Sequence, residues 1–304
     1  MTHRLNLILL ALILMIGLPF YWFLIDNSGG SLAAKPVTIE QLRQLAGSIP
    51  GEAPYGVEME RAAFRRVPGN LMVAGSGMKR KLIGYMAFRL PVRGGKPVMI
   101  ESGITSAIAA AQSAESFNIS AQARIDRELP GAGLILVTHE HPDHLGALAA
   151  HGGAALAQAA WLNPRQLAAK LAWNGALPAA RLNGTAPQAV APGIVVIPAP
   201  GSHTPGSQLI YVRLADGHEL LFAGDVSSFA QNWTELRGRS RLVETWFAPE
   251  NRAEVFAWLK TISALKAQAP GLLVVPGHDW EWLANPENRT GMEIGFPGAP
   301  RPYQ

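Results

Sequence analysis

The chain contains 304 residues, 48% hydrophobic and 16% charged, so it can bury the core of one large domain. Its formal net charge is +4, and its lysines and arginines are scattered without a long basic block, which argues against a nucleic-acid partner. There are no cysteines, so disulfides, thiolate metal ligands and a cysteine nucleophile are excluded. Any metal must therefore be held by imidazole and carboxylate groups.

An uncharged apolar segment comes first in the chain, at residues 5–25. A helix of that length spans ~30 Å, which matches the hydrocarbon core of a bilayer. Tyr21 and Trp22, near its end, are residue types that favour the membrane interface. The pattern predicts a single-pass membrane anchor over residues 1–25.

Arg4 and the amino terminus favour a cytoplasmic N-terminus for this anchor, so the rest of the chain is expected outside the cytoplasmic membrane. The alternative is a signal peptide cleaved near residues 31–33, which would make the protein periplasmic. Residues 26–67 are predicted to form a tether and an N-terminal extension. A short amphipathic helix is expected at residues 37–47, and no element is predicted over residues 48–69.

Strands and helices are predicted to alternate from about residue 70. Short aliphatic runs flanked by glycine or proline predict strands at residues 71–74, 82–92, 97–100, 134–137, 155–162, 194–197, 208–214, 219–222 and 272–275. Helices are predicted over residues 104–129, from 142 to about 150, from 163 onward and over 251–268. This order predicts one α/β domain over residues 68–304.

Three histidines and an aspartate lie within six positions, directly after the strand predicted at residues 134–137. They are His139, His141, Asp143 and His144. Two histidines separated by one residue at a strand end face the same side of the chain. Four such groups on one strand-to-helix turn predict a metal site with room for two ions. Glu140 is expected to point away and not to bind metal.

Three further residues of ligand type follow later strands, namely His203, Asp225 and His278. Each is flanked by glycine or proline, which allow a sharp turn just past a strand. Side chains at the same ends of neighbouring strands can meet at one rim of a sheet. Five histidines and two aspartates can together hold two divalent ions and leave positions for water.

These motifs resemble the metallo-β-lactamase-fold hydrolases over about residues 68–280. The matching order is His-x-His-x-Asp-His, then His before Thr-Pro-Gly, then Gly-Asp, then Gly-His. The resemblance implies an αββα sandwich, preceded here by the transmembrane helix, with the metals at one rim. It assigns one ion to His139, His141 and His203, the second to Asp143, His144 and His278, and a bridging role to Asp225. Zinc is the expected ion, although iron and manganese suit the same ligands.

The resemblance implies hydrolysis of an ester, lactone, thioester or amide in a small-molecule substrate by a metal-activated water. Asp143 is the expected catalytic residue, because it can orient that water or pass its proton to the leaving group. Asp225 disfavours a true β-lactamase. Ser228 disfavours a homoserine-lactone lactonase, since the pattern of those enzymes has a tyrosine three positions after the aspartate that Asp225 resembles. Glu101 stands where the family pattern has the aspartate of Asp-x-Gly.

Several alternatives remain open at the level of the sequence. One is an iron-dependent, persulfide-dioxygenase-like oxidoreductase of the same fold, and another is a non-catalytic membrane scaffold. A flavodiiron protein is disfavoured because His141 replaces the glutamate of that pattern. The arginines of residues 237–241 are expected either to hold an anionic group of the substrate or to form a solvated loop. Phe229 and Trp233 are expected either to line a pocket or to pack.

Overall fold

The computed structural model describes residues 2–299, so Met1 and residues 300–304, at the ends of two predicted ranges, lie outside the described part. Within it, eleven strands form two sheets. Their bounds in chain order are β1 (Glu58–Pro68), β2 (Arg80–Leu90), β3 (Val98–Ile100), β4 (Ser116–Phe117), β5 (Leu134–Leu136), β6 (Gln188–Ala191), β7 (Ile194–Pro198), β8 (Gln208–Arg213), β9 (Glu219–Gly224), β10 (Leu273–Pro276) and β11 (Glu293–Ile294).

Eleven α-helices lie in the same described range, several of them a single turn. They are α1 (Thr2–Phe20), α2 (Ile39–Ala46), α3 (Gly69–Met72), α4 (Ser106–Ala111), α5 (Ile119–Glu128), α6 (Pro142–His151), α7 (Ala154–Ala159), α8 (Pro164–Leu167), α9 (Ala230–Thr234), α10 (Arg252–Gln268) and α11 (Trp280–Ala284). Two π-helical turns lie at Tyr21–Ile25 and Val243–Phe247.

The first sheet has the strand order β11-β1-β2-β3-β5, with β4 paired to β1. The second has the order β10-β9-β8-β7-β6. The strands β1, β2 and β3 form an antiparallel meander, whereas β5 lies parallel to β3. The strands predicted at residues 208–214 and 219–222 are confirmed as the antiparallel pair β8 and β9, and β10 lies parallel to β9.

The two sheets pack face to face because alternate side chains of each strand point to opposite sides. On β8, Ile210 and Val212 join the core between the sheets, whereas Leu209 and Tyr211 point outward. The outer face of the second sheet is covered by α2 and α10, and that of the first by α5 and α6. The predicted αββα sandwich of the metallo-β-lactamase type is therefore confirmed.

Several predicted elements were wrong. Residues 71–74 are not a strand, since α3 ends there at Met72, and the alanine-rich run predicted as a strand at 155–162 is instead the helix α7 followed by isolated bridges. The helix predicted over 104–129 is divided into α4 and α5 by the short strand β4.

Four strands, β1, β4, β6 and β11, were missed by the sequence analysis. Charged residues interrupt the apolar alternation of β1 that would have predicted a strand. Their partners come from distant parts of the chain: Glu58 pairs with Arg89, and Glu60 pairs with Arg124. Most of β1 lies before residue 68, the predicted start of the main domain, yet β1 is paired along its length with β2.

The N-terminal helix α1 continues through the π-helical turn to Ile25, giving 24 residues that are long and apolar enough to cross a membrane. None of its side chains is buried against the sandwich, so α1 packs on no core. The helix is a candidate transmembrane span. The sandwich contacts it only at its last turn, at residues 22–24.

Candidate metal centre

All seven side chains predicted from the sequence lie together at one rim of the sandwich. They form two adjoining clusters, one of His139, His141, His203 and Asp225 and one of Asp143, His144 and His278. In each cluster the potential ligand atoms lie within 4.8 Å of one another. Because six of the seven side chains are buried, the rim is a pocket of ligand-type atoms and not a solvated loop.

The first cluster has the spacing that a tetrahedral ion requires. The Nδ1 atom of His141 lies 3.0 Å from Nε2 of His139 and 3.2 Å from Nε2 of His203. Nitrogen ligands placed ~2.0–2.1 Å from a tetrahedral zinc would be roughly 3.3 Å apart. Three imidazole nitrogens therefore converge on one point.

Asp225 connects the two clusters because its carboxylate oxygens face different ways. Its Oδ2 atom lies 3.4 Å from Nε2 of His203, in the first cluster. Its Oδ1 atom lies 3.0 Å from Nε2 of His278 and 3.9 Å from Nε2 of His144, in the second. On the other side of the second cluster, Oδ2 of Asp143 lies 3.6 Å from Nε2 of His278.

The pKa shifts of two histidines and both aspartates suit metal binding, which needs neutral imidazoles and ionised carboxylates. Burial and neighbouring imidazoles lower the pKa of His139 well below its usual value and that of His141 to about 4. Although burial alone would raise them, the pKa values of Asp143 and Asp225 are lowered, the first by His144 and His278 and the second by His278 and Arg239.

His144 supplies the test of whether a cation fits. Its Nε2 atom is buried and has no hydrogen-bond partner among the described residues, so it is a polar atom that needs one. Burial alone would lower the pKa of His144, but Glu101 and Asp143 raise it to about 10. The site thus attracts positive charge at this nitrogen, and a divalent cation would take the place of the proton.

Tight turns at the strand ends bring these groups together. His141 is the N-cap of α6 and Pro142 its first residue, so the chain turns from strand into helix at the motif. Gly224 has a positive φ of 51°, and a Cβ there would lie 2.5 Å from Thr138. A Cβ on Gly277 would meet Oδ1 of Asp225 at 2.7 Å. Both positions require glycine.

Two glutamates, Glu101 and Glu140, lie next to the two clusters and contact residues that position them. Glu101 is buried with a positive φ of 63°, accepts a 2.6 Å hydrogen bond from the Thr138 hydroxyl, and lies 3.2 Å from Nδ1 of His144. It therefore contacts His144, a candidate ligand, although it replaces the aspartate of the family pattern. The Glu140 carboxylate points away from the clusters, as expected, and accepts hydrogen bonds from Thr204 and Gly206 next to His203.

The sequence analysis missed a buried ion pair behind His203. The Glu250 carboxylate lies 2.8 Å from Nδ1 of His203 and accepts a 2.7 Å hydrogen bond from Arg239. The guanidinium of Arg239 also lies 3.0 Å from Oδ2 of Asp225. His203, Arg239 and Glu250 are not neighbours in the sequence. Of these contacts, the sequence analysis had singled out only the arginines of residues 237–241.

The other two arginines of residues 237–241 do not reach the clusters, and both are partly exposed to solvent. Arg237 donates to the Ala74 carbonyl, and Arg241 pairs with Asp26 beyond the end of α1. Phe229 and Trp233 pack into the core instead of lining a pocket.

Replacing Glu250 with glutamine is expected to weaken metal binding about tenfold, since loss of a charged group that orients a ligating histidine typically costs 10- to 100-fold in affinity. Metal titration of the apoprotein measures this. The nearby Glu254→Gln, which removes a charge paired with Lys35 on the surface, is the control and should leave the affinity unchanged. Equal affinities in the two variants would contradict the role given to Glu250.

A cavity of about 560 Å³ opens beside the two clusters. His141, Asp143, His203, Asp225 and His278 form one wall. The remaining wall is mostly apolar and includes Val67, Leu71, Met72, Ile83, Tyr85, Val243 and Phe247, with Arg65 and Gln112 among the polar groups. A molecule in this cavity would touch both the ligand clusters and a hydrophobic surface.

Comparison with known proteins gives consistent results. The profile of a family described as "Beta-lactamase superfamily domain" matches residues 104–274. A solved quorum-quenching N-acyl homoserine lactone lactonase is 16% identical over 76% of this chain and 94% of its own, with a TM-score of 0.58. A probable metal-dependent hydrolase from Staphylococcus aureus is 13% identical over 76% of this chain and 91% of its own, with a TM-score of 0.55. No curated protein sequence matches significantly.

Proposed function

Since the chain belongs to the β-lactamase superfamily domain family, we propose that it is a membrane-tethered, dinuclear metal-dependent hydrolase acting on an ester, lactone, thioester or amide. The observation that carries this proposal is the division of the Asp225 oxygens between two clusters of ligand atoms beside a cavity. Divalent ions bound there would lower the pKa of water and polarise the bond under attack. Five imidazoles and two carboxylates favour zinc.

Asp143 is the proposed proton carrier. Its carboxylate lines the cavity and is kept ionised, because His144 and His278 outweigh the effect of burial and lower its pKa. An ionised carboxylate at this position can accept the proton of the attacking water and pass it to the leaving group.

Tyr85 is proposed as the donor that binds the oxygen of the substrate. Its hydroxyl is buried at the cavity wall beside the Arg65 side chain and forms no hydrogen bond of acceptable geometry within residues 2–299. Burial raises the pKa of Tyr85 above its usual value, so the hydroxyl keeps its proton and can donate. Ser228 cannot take this role, because its hydroxyl is engaged with Asp225 and Arg239.

We propose three regions: an anchor at residues 1–25, a tether and extension at 26–67, and the hydrolase domain from 68 to 304. The extension supplies α2 and most of β1 to the sandwich. The anchor is the 24-residue apolar helix, whose length supports a single span of the cytoplasmic membrane. Arg4 favours a cytoplasmic N-terminus, which would place the metal centre on the extracytoplasmic side. The partners are then a small-molecule substrate and the membrane, with no nucleic acid.

Metal content and turnover test this function together. The full chain, purified in detergent, is expected to contain two zinc ions and to hydrolyse at least one member of a panel of lactones, thioesters, phosphodiesters and β-lactams. Chelation should abolish hydrolysis, and added zinc should restore it.

Other outcomes of the same experiment would replace the proposal. One bound iron with oxygen consumption on a thiol substrate would identify an oxidoreductase of this fold. Bound metal without turnover on the whole panel would indicate a scaffold.

A further inference from the structure

The mouth of the cavity carries exposed aromatic side chains. Val243 and Phe247, one turn apart on the π-helical turn, both line the cavity, yet Phe247 is 74% exposed. Its neighbour Trp246 is 57% exposed. Adjacent exposed aromatics at the entrance of a mostly apolar cavity form a surface that water solvates poorly, which is typical of a contact site.

The residues at this mouth pack against the C-terminal end of the N-terminal helix. The rings of Trp246 and Phe23 lie 4.9 Å apart, and the Arg241 guanidinium lies 4.1 Å from the ring centre of Trp22. A second segment near the cavity also contacts this end of the helix, because the backbone of Gly75, three residues after the lining residue Met72, donates to the Leu24 carbonyl. Two segments at the cavity are therefore held against residues 22–24.

The length of the helix sets the level of the mouth relative to a bilayer. A helix of 24 residues is ~36 Å long, slightly more than the ~30 Å hydrocarbon core, so its last turn reaches the interface with the headgroups. Aromatic side chains are favoured at that depth. Because Trp246 packs on Phe23 in this last turn, Trp246 and Phe247 lie at the same level.

We propose that the substrate is an amphiphile resident in the bilayer, whose hydrocarbon chain enters the cavity sideways past Trp246 and Phe247. The hydrocarbon chain of the substrate would lie against the apolar wall that includes Leu71, Met72 and Ile83, and the scissile bond would reach the metal centre. This inference rests on the proposed function and adds the class of substrate and its route of entry.

Activity in vesicles tests the substrate class. The full chain is reconstituted in phosphatidylcholine vesicles with p-nitrophenyl dodecanoate in the same bilayer or p-nitrophenyl butanoate in the water. The long ester is expected to give at least a tenfold higher kcat/KM, and Phe247→Ser to reduce the ratio of long to short about tenfold. Tyr55→Ser is the control, because Tyr55 is 49% exposed and lies outside this cavity.

The outcomes separate this inference from the proposed function. Hydrolysis of the butanoate without preference for the dodecanoate would refute the inference and leave the hydrolase intact. Failure of both esters and of the panel described above would refute the function, and the inference with it.

A second readout does not depend on turnover. Since the chain has no cysteine, Phe247→Cys and Tyr55→Cys can each be labelled at one position with an environment-sensitive fluorophore. Lipids carrying a nitroxide at the headgroup boundary are expected to quench the label at 247 several-fold more than the label at 55. Equal quenching would overturn the placement of the mouth at the membrane.

Discussion

Replacing Asp225 with alanine is expected to remove bound metal and to reduce hydrolysis by about three orders of magnitude or more. The variant loses the carboxylate whose two oxygens face His203 and His278, so both clusters lose a ligand at once. Metal ions contribute several kcal/mol to the transition state of such reactions, and each 1.36 kcal/mol is about tenfold in rate. Elemental analysis and kcat/KM measure the two effects, and His203→Ala is expected to behave similarly.

The control for Asp225 is Asp216→Ala, because Asp216 lies in the exposed turn between β8 and β9 and pairs only with His218 among the described residues. Loss of Asp225 also leaves the buried Arg239 with fewer partners, so folding must be checked by circular dichroism. If the alanine variant unfolds, Asp225→Asn replaces it, because asparagine keeps the shape of the side chain and removes its charge. A folded variant with full metal content and activity would disprove the assignment.

Replacing Tyr85 with phenylalanine is expected to reduce kcat/KM about 100-fold while the bound metal stays unchanged. The substitution removes only a buried hydroxyl that lies beside Arg65 and forms no hydrogen bond of acceptable geometry in the described chain, so the folded state loses little stability. Removal of one preorganised donor to a developing oxyanion costs on the order of 10²–10³ in rate. Steady-state kinetics and elemental analysis on the same preparation separate the two effects.

Tyr211→Phe is the matched control for Tyr85. Tyr211 is also a fully buried tyrosine, but it points to the outer face of the second sheet and its hydroxyl is bonded to Glu219. This variant is expected to lose some stability and to keep its activity. If Tyr85→Phe is as active as the wild type, the hydroxyl does not bind the reacting oxygen.

The strands and helices around the motifs were predictable where the pattern was local. The run before His139 is short and aliphatic, and α10 has an apolar face, so both were found from the sequence. The strand β1 was missed because its charges are neutralised by Arg89 and Arg124, which only the folded chain brings close. The helix α7 was predicted as a strand because its apolar run is too short for periodicity to decide.

The sequence by itself determined the seven residues of the candidate metal centre and the presence of an apolar N-terminal helix. Each follows from neighbours in the chain, namely glycine or proline turns after strands and an uninterrupted apolar run. Tertiary structure alone decided what surrounds the centre: the unpaired Tyr85 hydroxyl, the Glu250 carboxylate behind His203, and the cavity mouth beside Phe23. These contacts join residues far apart in the chain, and no local pattern records which distant side chain will fill a given space.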